Sequence, residues 1–498
     1  MKYLNKTFAI SYDEKALCFR LYDGFNVKEY KYITEVFERL QAKNKSRRTV
    51  IWCYRLSEMI VYTGESYFDT VEKHTMRSFI VKYATKDNLI FRNSKEFYRM
   101  PLKDIAKRKN ITDSDELIIT WKAAESERLR FKGHVGKIPL TGIGFVRRDL
   151  NKLNLYGDFH YLADSITEKS HKILCDCKSG GLSGIDRKYI DETRYLNCFD
   201  FKSFYPWIMV SQFFPYERYV VKENISRAMF CHLAGKSKLW IATITFRKLR
   251  PKHHDWLNFG NKKTHTITNL DMWIIQLDYD YSIEYIDNMI YFYNAKPLPD
   301  KLRNYILSQF DVKESFKKDT AEYEQAKIFL NCIYGLFSVN YENYGKPCDC
   351  YGAKQRPMII GLFCAAYGRY FLWDIMHTHN PVQWDTDGFK TEDVIDLTEY
   401  NEKRKIEFSN IGQLMQEKTC AAVTVYGNKQ YKINDTLKLS GTSGELAMKY
   451  FNSIGEEPRK GAVIPPEYSS QMRITKDKKI EKIAFTIGKD YNFKVVNE

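Results

Sequence analysis

Glycine and proline are scarce in this chain, 25 and 13 of 498 residues, and no segment rich in them stands out as a flexible linker. No internal repeat of fixed period is visible, which argues against solenoid and propeller arrays. A secretory signal is also missing. The 11 cysteines, an odd number scattered through a long sequence, make no disulfide framework, so a reduced, cytoplasmic protein is expected. Two Cys-Asp-Cys triplets, Cys175 to Cys177 and Cys348 to Cys350, are spaced more tightly than the usual zinc chelate and are read as incidental. Nor is there an unbroken apolar run fit for a bilayer. The longest stretch, Met358 to Met376, is interrupted by Gly361, Gly368, Arg369 and Asp374, so a buried core helix is expected and no membrane partner.

What is abundant is positive charge. Lysine and arginine number 78 against 62 carboxylates, a net charge of +16. That balance suits a partner carrying many phosphates, although a basic ribosomal or membrane-surface protein would share it. The length allows several domains, each with its own core. In the first 130 or so residues, β-like runs (Thr49 to Tyr54, Ser78 to Tyr83) alternate with helical stretches (Thr34 to Lys43, Asp115 to Arg128), the pattern of an α/β domain. Proline and glycine around Ile138 to Gly144 mark a boundary. Beyond Arg194 strands and helices alternate again, with the strongest helix from about Thr320 to Val339, and Lys476, Lys478, Lys479 and Lys482 suggest a small basic C-terminal module.

Three segments carry chemistry. The first is Asp200-Phe-Lys-Ser-Phe-Tyr-Pro206, after the strand-like run Tyr195 to Phe199. A strand that ends on Asp200 and turns into a helix near Pro206 exposes a carboxylate beside free backbone amides, a setting for a divalent metal and a triphosphate together. A surface aspartate at a strand end would look the same in isolation. The second is Gln383-Trp-Asp385-Thr-Asp387-Gly388. In an extended segment Asp385 and Asp387 share a face while Thr386 points away, and Gly388 permits a tight reversal. Their mutual repulsion favours Mg2+ or Mn2+ with oxygen ligands; a solvated Asp-Gly turn is the bland alternative. The third is Lys327-x3-Asn331-x2-Tyr334-Gly335, whose spacing puts a cation, an amide and a ring on one helix stripe, with Lys313, Lys317 and Lys318 upstream. An ordinary amphipathic helix explains the lysines, but less well a buried Asn331.

In this order the segments resemble motifs A, B and C of family B DNA polymerases, and Lys429-Gln-Tyr431 resembles the family's K-x-Y element at the primer end. The resemblance implies an α+β multidomain right hand of palm, fingers and thumb, preceded by a ribonuclease H-like, exonuclease-type α/β domain. It implies a catalytic set of Asp200, Asp385 and Asp387. Asp200, Asp387 and the backbone of Phe201 would hold two ions, Mg2+ or Mn2+, with Asp385 a weaker ligand. Lys327, with Lys317 as the preferred neighbour, would grip the triphosphate of a deoxynucleotide, helped by backbone amides from Phe201 to Tyr205, Ser203 and Phe204 included. Asn331 and Tyr334 would line the nascent base pair, and Tyr205 would lie under the sugar as a steric gate. Lys429 and Tyr431, with Gly180 and Gly181, would bind primer-template DNA. Gly388 stands where the family has serine, a change expected to perturb primer positioning rather than metal binding.

Within the family the protein-primed branch of small phages and linear plasmids is the nearer resemblance. Lys178-Ser-Gly180-Gly181 is similar to its Y-x-G-G/A element, with lysine for tyrosine. Thr266-Ile-Thr-Asn-Leu-Asp271 and Tyr285-Ile-Asp287 resemble the first branch-specific insertion, which contacts the priming protein. The second insertion, between Tyr344 and Pro357, is short for a segment to which the family owes processive strand displacement. The implied partners are primer-template DNA, deoxynucleotides and a terminal protein as primer, with the enzyme a monomer. The implied division is 1–135 exonuclease-like, 136–255 linker and first palm segment, 256–305 first insertion, 306–343 fingers, 344–357 shortened second insertion, 358–440 second palm segment and 441–498 thumb. The exonuclease motifs are eroded to Ser11-Tyr-Asp13, Tyr54-Arg-Leu-Ser-Glu58 and Ile111-x3-Asp115. A two-metal nuclease needs its carboxylates in fixed places, so this domain is expected to be inactive. A non-catalytic nucleic-acid-binding protein that keeps the polymerase fold is the alternative.

Overall fold

The computed structural model describes residues 7–13, 16–42, 48–74, 77–98, 102–130, 143–318, 320–338, 354–402, 409–474 and 480–489. Ile138, Cys348, Cys350, Lys476, Lys478, Lys479 and most of the interval Tyr344 to Pro357 lie outside them.

The N-terminal domain is built on a sheet in the order Val27–Tyr30, Cys18–Tyr22, Phe8–Asp13, Thr49–Cys53, Leu89–Asn93, Arg77–Lys86, Thr70–His74. Phe8–Asp13 pairs antiparallel with Cys18–Tyr22 and parallel with Thr49–Cys53. Every residue of Thr49–Cys53 is buried, as a strand covered on both faces requires. Ile51 and Cys53 pack with Val36, Phe37 and Phe91, while Val50 and Trp52 pack with Phe97, Ile105 and Ala124 on the opposite face. The two helices expected here are Ile33–Ala42 and Glu116–Arg130. The second starts after Asp115 because the Asp115 carboxylate accepts the Leu117 amide, 2.8 Å away, and so caps it.

The palm is a second sheet, in the order Thr436–Leu439, Gln430–Ile433, Leu414–Gly427, Thr193–Phe201, Gly388–Thr391, Pro381–Asp385, Ser183–Ile185. Side chains alternate along Thr193–Phe201. Phe199 and Phe201 enter the large core under the sheet, whereas Leu196 and Cys198 pack with Val382, Val423 and Val425 on the other face. Asp200 follows Cys198 on that second face by the same alternation.

Met358–Met376 is the core helix that its interruptions predicted. It is long and apolar enough to cross a membrane by composition, but it is mostly buried within the protein. Its buried Arg369 forms a two-point ion pair, 2.7 and 2.9 Å, with Asp271. Asp271 also closes the capping box of helix Asn269–Asp278 with Thr268. Expected at a contact with a priming protein, Asp271 is buried and its carboxylate is turned inward to Arg369.

The fingers are two packed helices, Asp300–Glu314 and Ala321–Phe337, the second capped by the Thr320 hydroxyl at the Tyr323 amide. The first helix begins inside the segment assigned to the insertion. Helix Gly444–Ile454 of the thumb packs Ala447 and Phe451 against Leu437 and Leu439, so this small core includes the edge of the palm sheet.

Candidate active site

Asp200 lies at the end of its strand directly opposite Gly388. Pro381–Asp385 and Gly388–Thr391 form a hairpin whose turn is Thr386-Asp387, and the Phe201 amide donates to the Asp387 carbonyl at 2.8 Å. That bond ties the two aspartates' backbones together, although 187 positions separate them in sequence (387 − 200). The strand ends at Asp385, so Asp385 and Asp387 are not alternate residues of one extended run. The left-handed residue of the reversal is Thr386, φ +60°, and not Gly388. Gly388 has a different task. A Cβ there would lie 2.6 Å from the Phe199 carbonyl oxygen and 2.7 Å from Asp200 Oδ1. The missing side chain therefore clears space for the Asp200 carboxylate itself, so Gly388 also bears directly on the carboxylate site.

Both carboxyls titrate well above the usual range. Burial first, and then the charges of Asp387 and Glu417, raise Asp200; burial first, and then Asp385, raise Asp387. No side-chain donor bonds either carboxylate among the described residues. Two crowded hard-oxygen groups without such donors suit a divalent cation, which would relieve their repulsion. The residues present therefore fit Mg2+ or Mn2+. Asp385 is differently placed: it is 38% exposed, pairs with Lys429 Nζ at 2.6 Å and accepts the Thr386 hydroxyl at 2.8 Å.

Lys327 faces this pair from the fingers, and its charge favours the ionised form of both Asp200 and Asp387. Lys313 is buried under the turn, donating to Ser203 Oγ at 2.9 Å and pairing with Glu314 at 3.0 Å, while Lys317 is exposed. Of the upstream lysines it is thus Lys313, not the preferred Lys317, that touches the Asp200 turn. Asn331 is exposed rather than buried, because its helix turns it away from the core that holds Leu330 and Ile333.

Ser203 holds a left-handed conformation, φ +54°, and starts helix Phe204–Ser211 without capping it by its own side chain. The amides of Phe201 and Lys202 are already spent on the Asp387 and Gln413 carbonyls. Those of Ser203, Phe204 and Tyr205 remain as anion donors. The rings of Phe201 and Phe204 stack on each other in the core, so neither side chain reaches a nucleotide. Tyr205 stacks face to face on Tyr334, centroids 4.4 Å apart, joining the palm turn to the fingers helix. Gly181 supports that ring: a Cβ there would meet the Tyr205 hydroxyl at 2.7 Å and Thr386 at 3.0 Å. Gly180 is exposed, but its carbonyl is held by Arg369 at 2.9 Å. Sequence reading missed this role of Arg369, although a lone arginine in an apolar helix was the signal. It also missed Lys390, which lies over the Tyr431 ring, 4.1 Å from the centroid. The signal there was its two-residue spacing from Gly388.

In the N-terminal domain Asp13 and Asp115, and Glu116 beside them, are answered by protein groups. Asp115 pairs with Arg20 at 2.8 Å and Glu116 with Arg55 at 3.1 Å, and Asp13 accepts the Ala16 amide at 3.1 Å. Burial, above all, raises the Glu116 carboxyl, and Glu58 adds to the rise.

No curated protein matches the sequence. Residues 179–348 match the family model for DNA polymerase type B, organellar and viral. The structure is similar to that of Phi29 DNA polymerase in complex with primer-template DNA and incoming nucleotide substrates, with a TM-score of 0.72 at 15% identity, covering 97% of this chain and 100% of that one. It is similar too to Phi29 DNA polymerase complexed with single-stranded DNA, with a TM-score of 0.71 at 14% identity and the same coverage. The chain thus has the α+β right-hand polymerase fold of Phi29 DNA polymerase, and its residues 179–348 are similar to the type B DNA polymerases of organelles and viruses.

Proposed function

We propose that the protein is a template-directed DNA polymerase that adds deoxynucleotides to a primer end at Asp200 and Asp387. The observation that carries this reading is the placing together of those two carboxylates, both pushed toward protonation by burial and by a neighbouring aspartate, Asp387 for Asp200 and Asp385 for Asp387, within reach of the Lys327 charge. Two ions, Mg2+ or Mn2+, held by Asp200, Asp387 and the backbone carbonyl of Phe201, would supply charge neutralisation for the triphosphate and acidify the primer hydroxyl. Lys327 and the free amides of Ser203, Phe204 and Tyr205 hold the triphosphate. Tyr205, fixed between Tyr334 and Gly181, lies under the sugar and excludes a 2′-hydroxyl. Lys429 and Tyr431 hold the primer strand through contacts that carry affinity but little sequence information.

The N-terminal domain, on this reading, folds and guides single strands but does not degrade them. Protein priming, on the hydroxyl of a terminal protein, is supported by the resemblance to the protein-primed branch, and the setting is the cytoplasm of a host cell, with the enzyme a monomer. The test is direct. Purified protein with Mg2+ or Mn2+ extends a primed template, and Asp200→Ala or Asp387→Ala abolishes extension; robust synthesis by either variant would remove the mechanism. Labelled nucleotide offered with candidate primers then shows whether label attaches to protein or to DNA.

A further inference from the structure

One cation of the palm has no part in the nucleotide chemistry above. Lys390 stands two residues after Gly388 on strand Gly388–Thr391, on the same face as that glycine, and its partner on the Asp200 strand is Cys198. Cys198 is small enough for a long side chain to pass over it. Two strands, Thr193–Phe201 and Leu414–Gly427, separate Lys390 from Gln430–Ile433. Lys390 and Tyr431 bridge them from either side, and the ammonium comes to rest over the ring, 4.1 Å from its centroid.

The surroundings tell the two lysines near Tyr431 apart. Lys429 forms an ion pair with Asp385 at 2.6 Å. Lys390 forms no ion pair among the described residues, although Asp385, Asp200 and Glu417 all face it at longer range, with Lys418 beyond Cys198. Burial favours its neutral form, so a lysine kept here in a central strand needs a reason. Lys390 as a whole is neither fully buried nor exposed, and it shares its face of the sheet with Asp200. An ammonium braced on an aromatic ring, beside metal-binding carboxylates but paired with none, is placed for a phosphate.

We propose that Lys390 is a primer-binding residue: braced on Tyr431, its charge meets the last phosphodiester of the primer strand and sets the 3′-hydroxyl over Asp200. The inference rests on the polymerase reading. A contact of this kind adds affinity without sequence preference and releases counterion.

The experiment compares wild type, Lys390→Met, Lys390→Arg, Tyr431→Ala and the Lys390→Met/Tyr431→Ala double variant. Binding of primer-template DNA is followed by fluorescence anisotropy in Ca2+, and extension kinetics in Mg2+. Lys390→Met is expected to weaken primer-template affinity and raise the KM for primer-template about ten-fold, to leave the KM for deoxynucleotide unchanged, and to reduce the slope of log affinity against log salt by about 0.9. Lys390→Arg, which keeps charge and ring contact, restores most of the affinity. The double variant binds no more weakly than Tyr431→Ala alone, because the two side chains act as a unit. Wild-type primer affinity in Lys390→Met, a shift in the nucleotide KM instead, or additive losses in the double variant would each overturn the proposal. If Lys390→Met melts early, Lys390→Gln replaces it under the same criteria. A wild type that fails to extend primed DNA refutes the polymerase reading itself, whereas one that extends while Lys390→Met is indifferent refutes only the role of Lys390.

Discussion

The N-terminal domain carries carboxylates at the start of helix Glu116–Arg130 and the palm carries them at strand ends, and the two places leave them in opposite states. In the N-terminal domain Asp115 has Arg20 and Glu116 has Arg55. In the palm Asp200 is raised by Asp387 and Asp387 by Asp385, and Lys327 offsets part of the rise at both. Paired carboxylates are already neutralised and gain little from a cation. Unpaired ones press against each other until something positive arrives, and that stored repulsion is what a catalytic site can use.

The largest effect should come from breaking the palm pair. Asp200→Ala or Asp387→Ala is expected to lower primer extension by about 10⁴-fold or more, a loss of roughly 5 kcal/mol or more in transition-state stabilisation. Replacing Asp13, Glu58 and Asp115 together should change extension less than about two-fold, and a 3′-labelled primer should persist unshortened before and after. A triple variant that loses terminal degradation present in the wild type would reverse the contrast.

Next comes the ion pair beneath the palm loop. Arg369 and Asp271 are both buried, and Arg369 also holds the carbonyls of Ser179 and Gly180. Arg369→Ala leaves Asp271 buried without a partner and is expected to destabilise the fold by about 3–5 kcal/mol in chemical denaturation. Arg20→Ala, at a pair whose side chains are 26% and 28% exposed, should cost about 1 kcal/mol or less.

A third prediction has the opposite sign. The folded-state carboxyl of Asp200 is raised to about 8, above the 3.8 of the unconstrained group. A carboxyl raised on folding contributes stability at acid pH, lost as pH climbs through the window between those values. In the metal-free protein at about pH 8, Asp200→Asn should therefore raise stability by roughly 1–3 kcal/mol, and the gain should vanish below about pH 4. Excess Mg2+ should narrow it, because the cation stabilises only the wild-type pair. Thermal unfolding across pH, with and without Mg2+, measures all three.

Much of this contrast was legible in the sequence, and the limits of legibility have physical causes. The strand into Asp200, the helix from Thr320 and the core helix from Met358 follow from local periodicity, and the order of the aspartate, lysine and K-x-Y segments located the site. Local pattern could not separate the two lysines upstream, because only the end of helix Asp300–Glu314 before Lys317 and the packing of Lys313 on Ser203 choose between them. It misread Asn331, since the stripe bearing Lys327 is the one left outside the core. It gave Gly388 a backbone role, because a clash with a carboxylate from a distant strand is invisible locally. The arginines that pair with the N-terminal carboxylates were hidden likewise: Arg20 and Asp115 are 95 positions apart.

The smallest expected effect asks whether the N-terminal carboxylates, once freed of those arginines, can hold a metal ion. The variant is Arg20→Met/Arg55→Met in a background of Asp200→Asn/Asp387→Asn, so that the palm pair cannot respond to metal. Removing Arg55 takes away a charge that lowers the Glu116 carboxyl, so that group should titrate higher than it already does. The loss of two partly exposed pairs should cost about 1–2 kcal/mol in all. The carboxylates freed in this way remain too few, because Ser11 offers a hydroxyl where the resemblance expects an aspartate. Addition of Mn2+ should therefore leave the melting temperature of this variant unchanged. A rise with Mn2+ would mean that the N-terminal site kept its ligand geometry and was closed by pairing alone, which would make the two places alike in design and different only in two arginines.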